Sequence, residues 1–276
     1  MLEIVATPIG NLGDISTRAK TAFEKADLIA CEDTRQTKKL CALLGLSVQA
    51  KLLAYHDHNG AQMRPKLLQA LAQGQHVVLV SDAGTPLISD PGYKLVEACH
   101  EQQIPVSSLP GPSAPITALT LSGLPSDRFM FHGFLPPSSS QLKAQLSDIA
   151  GLEVTHIWFE SPRRLPASLS ALQDMLGNRM AVVARELTKL HEEIRRAPLS
   201  DLVAHYQVAG PPKGEIVLLV DGRSLSNGQS AEDITVLLEQ ALTEKSLKDA
   251  VLEITSLTGL PKRQIYQKAL ALTKKD

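Results

Sequence analysis

Short apolar runs rich in β-branched residues alternate with helical patterns along the first part of the chain. The runs predict strands at 4–6, 28–31, 52–55, 77–80 and 106–109. Between them, apolar residues at helical spacing predict helices at 16–26, 35–44, 61–73 and 92–103. Strands that alternate with helices are typical of a mostly parallel sheet covered on both faces.

The pattern continues differently beyond the Pro- and Gly-containing segment 110–114. Strands are predicted at 129–134, 154–160, 180–185, 192–196 and 215–220, and helices at 113–122, 139–150, 164–176 and 198–207. The connection from Glu186 to Glu192 is too short for a helical crossover, so we expect a mixed sheet with antiparallel pairs. The sequence thus predicts an α/β domain over 1–112 and a second over 113–222.

The last part, 223–276, is predicted to be a linker followed by a helical tail. Residues 222–230 are rich in Gly and Ser, and helices are expected at 246–257 and 262–272 around a Gly-containing turn. These two helices are equally compatible with a helix-turn-helix and with a helical hairpin packed on the rest of the protein. Between 245 and 275 the tail carries seven Lys or Arg residues against two acids.

The amino-acid composition limits the classes of protein to which the chain can belong. Hydrophobic residues make up 43% and charged residues 21%, which is ordinary for a soluble globular protein. Three scattered cysteines argue against a disulfide framework or a four-cysteine zinc site, and no signal peptide or membrane span is evident. We therefore expect a cytoplasmic protein without a metal or a membrane partner. The net charge of −1 means that any nucleic-acid contact must use local basic patches.

Loops that follow the predicted parallel strands share an unusual composition. Segments 7–14, 81–92 and 110–114 combine Gly and Pro with small polar residues, and segment 31–35 consists mainly of polar and charged residues. Ordinary turn chemistry explains any one of them, but four at one sheet edge favour a ligand cleft. Segment 81–92 has two acids and no Lys or Arg, which suits a ligand with hydroxyls and a positive centre. The chain lacks a phosphate-binding P-loop, a GxGxxG after the first strand and an HExxH, which argues against an NTPase, a dinucleotide dehydrogenase and a zincin.

Nine sequence blocks in a fixed order carry a family resemblance over about residues 1–222. They are VATPIGNLGD (5–14), ADLIACEDTR (26–35), HDHN (56–59), LVSDAGTPLISDPGY (79–93), LPGPSA (109–114), GLPSDRF (123–129), FESPRR (159–164), ARELTK (184–189) and KGE (213–215). The chain resembles the tetrapyrrole-methylase superfamily of S-adenosylmethionine-dependent methyltransferases. Within it, the blocks are similar to those of the branch that 2′-O-methylates a decoding-centre cytidine of 16S ribosomal RNA.

The resemblance implies a fold, a cofactor and partners. It implies two α/β domains of the class III methyltransferase type, with a small C-terminal helical module and S-adenosylmethionine between the domains. It also implies 16S rRNA in the small ribosomal subunit as substrate and a homodimer. By resemblance, Phe159 would pack on the adenine and Asp82 would bind a hydroxyl or amino group. The implied cofactor contacts are Pro8, Ser81, Asp82, Ala83, Gly84, Thr85, Pro86, Ser113, Ala114, Phe159, Arg185, Leu187, Lys213 and Gly214.

The chemistry adds catalytic and RNA-binding candidates. A ribose 2′-hydroxyl is a very weak acid, so its reaction needs a base or a group that stabilises the developing oxyanion. Salt bridges are the competing interpretation for each charged candidate. The catalytic candidates are Glu186, Lys189, Asp90 and Glu32, and the RNA-binding candidates are Arg35, Arg163, Arg164, Lys262 and Arg263.

Other functions stay open from the residues alone. A related methyltransferase could act on a tetrapyrrole or on a modified protein side chain. A non-enzymatic RNA-binding or assembly protein is a further alternative, although simple RNA binding does not require a cleft lined with Gly and Pro.

Overall fold

The computed structural model describes residues 1–224, 231–258 and 262–273. The chain divides into two compact units, Met1–Arg223 and Ser224–Asp276. None of the described helices is long and apolar enough to cross a membrane.

The first sheet of the larger unit is wholly parallel, as the alternating pattern predicts. Its spatial order is β3-β2-β4-β1-β5, and every neighbouring pair is parallel. Its strands are β1 (Leu2–Val5), β2 (Leu28–Cys31), β3 (Lys51–Ala54), β4 (Val77–Val80) and β5 (Val106–Leu109).

Helices cover both faces of this sheet. The Ser16 side chain accepts a hydrogen bond from the Ala19 amide and caps the first helix, which buries Phe23 against one face. Leu67 and Leu95, from two further helices, pack on the other face. The helices are α1 (Thr17–Lys25), α2 (Thr34–Leu43), α3 (Gly60–Ala72) and α4 (Tyr93–Glu101), with a short 3₁₀ helix at Leu12–Asp14.

The second sheet is mixed, as the short connection before Glu192 indicates. Its order is β6-β7-β10-β8-β9; β6 and β7 are parallel, whereas β7 pairs with β10 and β8 with β9 in antiparallel fashion. Its strands are β6 (Phe129–Phe134), β7 (Thr155–Glu160), β8 (Arg179–Arg185), β9 (Glu193–Pro198) and β10 (Ile216–Ser224).

Four helices pack on this mixed sheet. The first, which contains Ala118 and Leu119, packs on the face that carries Ile157 and Val217. The other three enclose a larger core around Trp158 on the opposite face. These helices are α5 (Ala114–Ser122), α6 (Ser139–Ile149), α7 (Leu165–Leu176) and α8 (Leu199–Ala209).

The smaller unit contains the described helices α9 (Ala231–Glu244), α10 (Leu247–Thr258) and α11 (Lys262–Thr273). They share a small core that includes Val251, Ile254 and Ile265. The two helices predicted after residue 245 are confirmed, and α9 is an additional helix.

The predicted linker over 222–230 begins too early. Strand β10 continues to Ser224, and Gly222 lies so close to the backbone of Val154 that a Cβ atom would not fit. This glycine therefore serves close packing rather than flexibility. The rest of the predicted linker, 225–230, lies outside the described residues.

Candidate active site

The loops after β1, β4 and β5 are hydrogen-bonded to one another. Thr7 and Gly84 exchange two backbone hydrogen bonds of 2.9 and 3.0 Å. The Thr7 hydroxyl donates to the Ser81 carbonyl at 3.3 Å, and the Thr85 hydroxyl donates to the Pro112 carbonyl at 2.9 Å. Three of the segments predicted to surround a ligand thus form one continuous wall.

A cleft of about 330 Å³ separates this wall from the end of the second sheet. Ligand pockets are typically ~300–1,000 Å³, so the space is sufficient for a small molecule. The cleft is lined by Ile9, Ala83, Gly84, Thr85, Ile88, Asp90, Ser113, Ala114, Pro115, Phe134, Phe159, Glu160, Ser161, Pro162, Leu187, Gly214, Glu215, Ile216 and Val217.

The lining is apolar and acidic, and the described residues that form it include no Lys or Arg. Ser113 makes no side-chain cap, so amides at the start of α5 are left for a ligand oxygen. The charge of Glu160 is offset by the Arg164 guanidinium, 3.6 Å away, and its buried carboxylate also accepts hydrogen bonds from the Ser161 amide and the Ser168 hydroxyl. The site suits a ligand with apolar, hydroxyl and cationic parts better than a polyphosphate.

The implied cofactor contacts divide into two sets. The residues that line the cleft are Ala83, Gly84, Thr85, Ser113, Ala114, Phe159, Leu187 and Gly214. The residues that lie outside the lining are Pro8, Ser81, Asp82, Pro86, Arg185 and Lys213.

Four residues of the second set, Pro8, Ser81, Pro86 and Arg185, support the loops of the cleft, whereas Asp82 and Lys213 are exposed. Pro8 and Pro86 are buried, and the Ser81 hydroxyl donates to the Ala83 carbonyl at 3.2 Å. Arg185 donates to Glu193 at 3.0 Å and to the backbone carbonyl of Lys213 at 3.2 Å. It therefore holds the segment that carries Gly214.

Asp90 is the catalytic candidate that lines the cleft. Burial raises the pKa of this carboxyl to about 6, and the charges of Glu32 and Asp82 add to the shift, while a hydrogen bond with Ser81 opposes it. Its predecessor Ser89 has a φ of 66°, which non-glycine residues rarely adopt. Backbone strain of this kind is concentrated at functional sites.

Glu32 lies outside the cleft lining, close enough to the carboxyls of Asp82 and Asp90 for their charges to interact. Burial raises its pKa, and the charge of Asp82 raises it further. Asp82 accepts a hydrogen bond from the Asp33 amide at 3.2 Å. Glu32 therefore acts on Asp90 through its charge in this arrangement.

Glu186 and Lys189 also lie outside the lining, in a charged network beside Gly214. The Lys189 ammonium donates to Glu186 at 2.8 Å and to Glu215 at 2.7 Å, and Glu186 also accepts from the Glu215 amide at 3.0 Å. The hydrogen bond from Lys189 lowers the pKa of Glu186. Burial alone would lower the pKa of Lys189, but the hydrogen bonds to both carboxylates raise it. These two carboxylates therefore favour the cationic form of Lys189.

The RNA-binding candidates differ in their surroundings. Arg35 forms a bidentate pair with Asp33, the shorter contact being 2.6 Å, and lowers the pKa of that carboxyl to about 2. Arg163 is exposed, whereas Arg164 donates to the carbonyls of Leu135 and Pro136. These contacts favour a structural role for Arg164. Lys262 and Arg263 begin α11, and their side chains lie outside the described part of the structure.

Sequence reasoning missed several apolar cleft residues. Ile216 and Val217 lie in an apolar strand that is indistinguishable from core, and Ile88 lies in a loop chosen for its acids. Phe134 had a usable signal, because Gly133 interrupts a predicted strand directly before it.

No group of three or more His, Cys, Asp or Glu side chains placed to hold a metal occurs within the described residues.

The family assignment follows from comparison with known proteins. Residues 1–203 match the family described as Tetrapyrrole (Corrin/Porphyrin) Methylases, and residues 228–273 match the RsmI C-terminal HTH domain. The chain therefore belongs to the tetrapyrrole methylase family of S-adenosylmethionine-dependent methyltransferases, as the nine blocks predict.

Particular relatives are similar over nearly the whole chain. The chain is 48% identical to ribosomal RNA small subunit methyltransferase I of Erythrobacter litoralis, covering 98% of this chain and 95% of the relative. It is 46% identical to the protein of the same name from Mesorhizobium japonicum, covering 98% and 92%. The crystal structure of the methyltransferase CobJ superposes with a TM-score of 0.61 at 18% identity, covering 82% of this chain and 94% of that one, which supports the fold.

Proposed function

We propose that the protein methylates the 2′-hydroxyl of a decoding-centre cytidine in 16S rRNA, with S-adenosylmethionine as the donor. The observation that carries this proposal is the position of Asp90, a carboxylate with a raised pKa, in a cleft whose described lining residues include no Lys or Arg. The name shared by the full-length relatives supports ribosomal RNA of the small subunit as the substrate.

The residues present fit the donor. Phe159 offers an aromatic face for the adenine, and the backbone amides of Ala83 and Thr85 offer donors for hydroxyls. The lining carboxylate of Asp90 favours a positive sulfonium. When bound, S-adenosylmethionine supplies an activated methyl group.

We assign Asp90 as the base that accepts the proton of the ribose hydroxyl. With the donor bound, its methyl group would be available to the ribose oxygen, and the Asp90 carboxylate would accept the proton that the hydroxyl loses. A pKa of about 6 leaves this group ionised at neutral pH while keeping it basic enough to accept a proton. Lys189 and Glu186 are assigned as positioning residues, because they hold Glu215 and the adjoining Gly214 in place.

The basic tail is proposed to bind the RNA substrate. Its Lys and Arg residues supply local positive charge on a chain whose net charge is −1, and a match to a helix-turn-helix domain supports the same role. Deleting 224–276 should raise the KM for the RNA substrate and leave donor affinity intact. An unchanged KM would reject this role.

A homodimer and a cytoplasmic location complete the proposal. Ile116 and Leu121 on α5 are 44% and 45% exposed, which supports an apolar contact with a second copy. Sedimentation equilibrium should give twice the monomer mass of 29.8 kDa. A cytoplasmic location follows from the proposed substrate, and fractionation of cells would test it.

Calorimetry and a transfer assay test the proposed activity. Calorimetry should detect S-adenosylmethionine binding, and labelled methyl should enter RNA of small subunits from a strain that lacks the protein. Binding without transfer to RNA, or transfer to a tetrapyrrole or a protein instead, would overturn the proposal.

A further inference from the structure

Phe134 is an aromatic side chain of the cleft that solvent reaches. It lines the cleft at the end of β6 and is 60% exposed. Phe159, its partner across the strands, is partly buried, and the two rings meet edge to face with centroids 5.3 Å apart. Phe134 therefore contacts the protein on one side and has much of its surface open.

The backbone before Phe134 is shaped to give it this position. Strand pairing between β6 and β7 shifts register between Phe131 and Phe134, and Gly133 has a φ of 71°. Irregularities of this kind are common beside active sites, where they redirect a side chain. Strand β6 thus departs from regular strand geometry at Gly133, the residue before Phe134.

The same bend brings β6 against the loop that carries Asp90. A Cβ atom on Gly133 would lie 3.3 Å from the Ser89 hydroxyl oxygen, so the strand and the loop are in close contact there. Ser89 directly precedes Asp90, and both Asp90 and Phe134 line the same cleft. An exposed aromatic ring and the proposed proton acceptor therefore border one opening.

We propose that Phe134 is the platform on which the base of the target nucleotide stacks, placing its ribose hydroxyl beside Asp90. This inference rests on the proposed RNA substrate. Unpaired RNA bases are commonly held by stacking on aromatic side chains, because every base presents a π-face. Stacking fixes the nucleotide without a cation, which accords with a lining that has no Lys or Arg among the described residues.

The test compares Phe134→Ala, Phe134→Trp and Phe134→Leu with the wild-type enzyme on small subunits that lack the modification. Loss of one base stack should raise the KM for the RNA roughly tenfold or more in the Ala and Leu variants. The Trp variant should keep a KM near the wild-type value. Calorimetry should give the same S-adenosylmethionine affinity for all four proteins, since Phe134 is assigned to the acceptor.

Phe129 supplies a matched control at the opposite end of β6. It is 43% exposed and lies outside the cleft lining, so Phe129→Ala should leave the RNA KM unchanged. Binding can also be read without turnover, because the natural chain has a single, buried tryptophan, Trp158. In the presence of S-adenosylhomocysteine, RNA should quench the added emission of Phe134→Trp and not that of Phe129→Trp.

The outcomes separate this inference from the proposed function. A wild-type enzyme that transfers no methyl to RNA overturns the proposed function and the inference with it. A wild-type enzyme that methylates RNA, together with an unchanged KM in Phe134→Ala, overturns the stacking role alone. A loss of S-adenosylmethionine affinity in Phe134→Ala also overturns it, because the ring would then belong to the donor side.

Discussion

Thr7 and Gly84 are joined by two reciprocal backbone hydrogen bonds, which fasten the loop after β1 to the loop after β4 at the wall of the cleft. Gly84 has a φ of 78°, and a Cβ atom there would lie 3.4 Å from Ile9. The bridge thus depends on a residue without a side chain.

Gly84→Ala should weaken S-adenosylmethionine binding about tenfold or more. A non-glycine residue at positive φ costs about 1–3 kcal/mol, and relaxing that strain moves the wall of the cleft. Calorimetry measures the affinity. Gly74→Ala is the matched control, because Gly74 has a φ of 82°, open space around its Cβ position and no part in the cleft. Equal S-adenosylmethionine affinities for Gly84→Ala and Gly74→Ala would contradict the assignment of the Gly84 loop to the wall of the binding cleft.

Asp90→Asn should reduce kcat about 100-fold or more while leaving the protein folded. A positioned base contributes ~10²–10⁴-fold, and asparagine cannot take a proton. In the wild-type enzyme, kcat/KM should fall as the pH drops through about 6, where the carboxylate of the free enzyme becomes protonated. The melting temperature at neutral pH should stay the same or rise, because burial disfavours the charged carboxylate. Near-normal turnover of this variant would remove Asp90 from the mechanism.

The Glu32→Gln variant distinguishes the role of Glu32 from that of Asp90. The negative charge of Glu32 raises the pKa of Asp90, so its removal should shift the acidic limb of the pH–rate profile to lower pH with little change in kcat at neutral pH. The exposed Glu24 on α1 offers a control, since Glu24→Gln should leave the profile in place. A large loss of kcat in Glu32→Gln would instead make Glu32 the base.

Lys189→Ala and Glu186→Gln should each raise the KM for S-adenosylmethionine several-fold, with smaller effects on kcat. Both changes loosen the network that holds Glu215 beside Gly214. Because the residues act as one unit, the double variant should be little worse than either single variant. Fully additive losses, or a selective collapse of kcat, would show that one of them acts at the acceptor hydroxyl.

Buried His156, with the partly buried His132 beside it, should make the protein less stable in mild acid. Burial lowers the pKa of His156 to about 4 from an ordinary value near 6.5, and the neighbouring His132 contributes. The unfolded chain therefore takes up protons first as the pH falls, so the free energy of unfolding should decrease from about pH 6.5 towards pH 4. Urea titrations at several pH values measure it. His156→Gln should flatten this dependence, whereas His191→Gln, at an exposed loop position, should not.

The sequence predicts the strands, the mixed second sheet and the loops of the cleft wall because local patterns determine them. Ile216 and Val217 escaped prediction because an apolar strand looks the same whether a helix or a ligand covers it. Arg164 looks like a surface cation in sequence, yet its guanidinium satisfies backbone carbonyls that only the folded chain brings near. Contacts between residues far apart in the sequence cannot be predicted from local patterns, whereas the residue composition of a turn predicts a loop directly.

The most direct test of the central claim is nucleoside mass spectrometry of 16S rRNA after reaction of the purified enzyme with unmodified small subunits and S-adenosylmethionine. The proposed mechanism predicts one 2′-O-methylcytidine at the decoding centre, absent when Asp90→Asn replaces the wild-type protein. A methyl group found on a base, on another molecule, or at full yield with Asp90→Asn would contradict it.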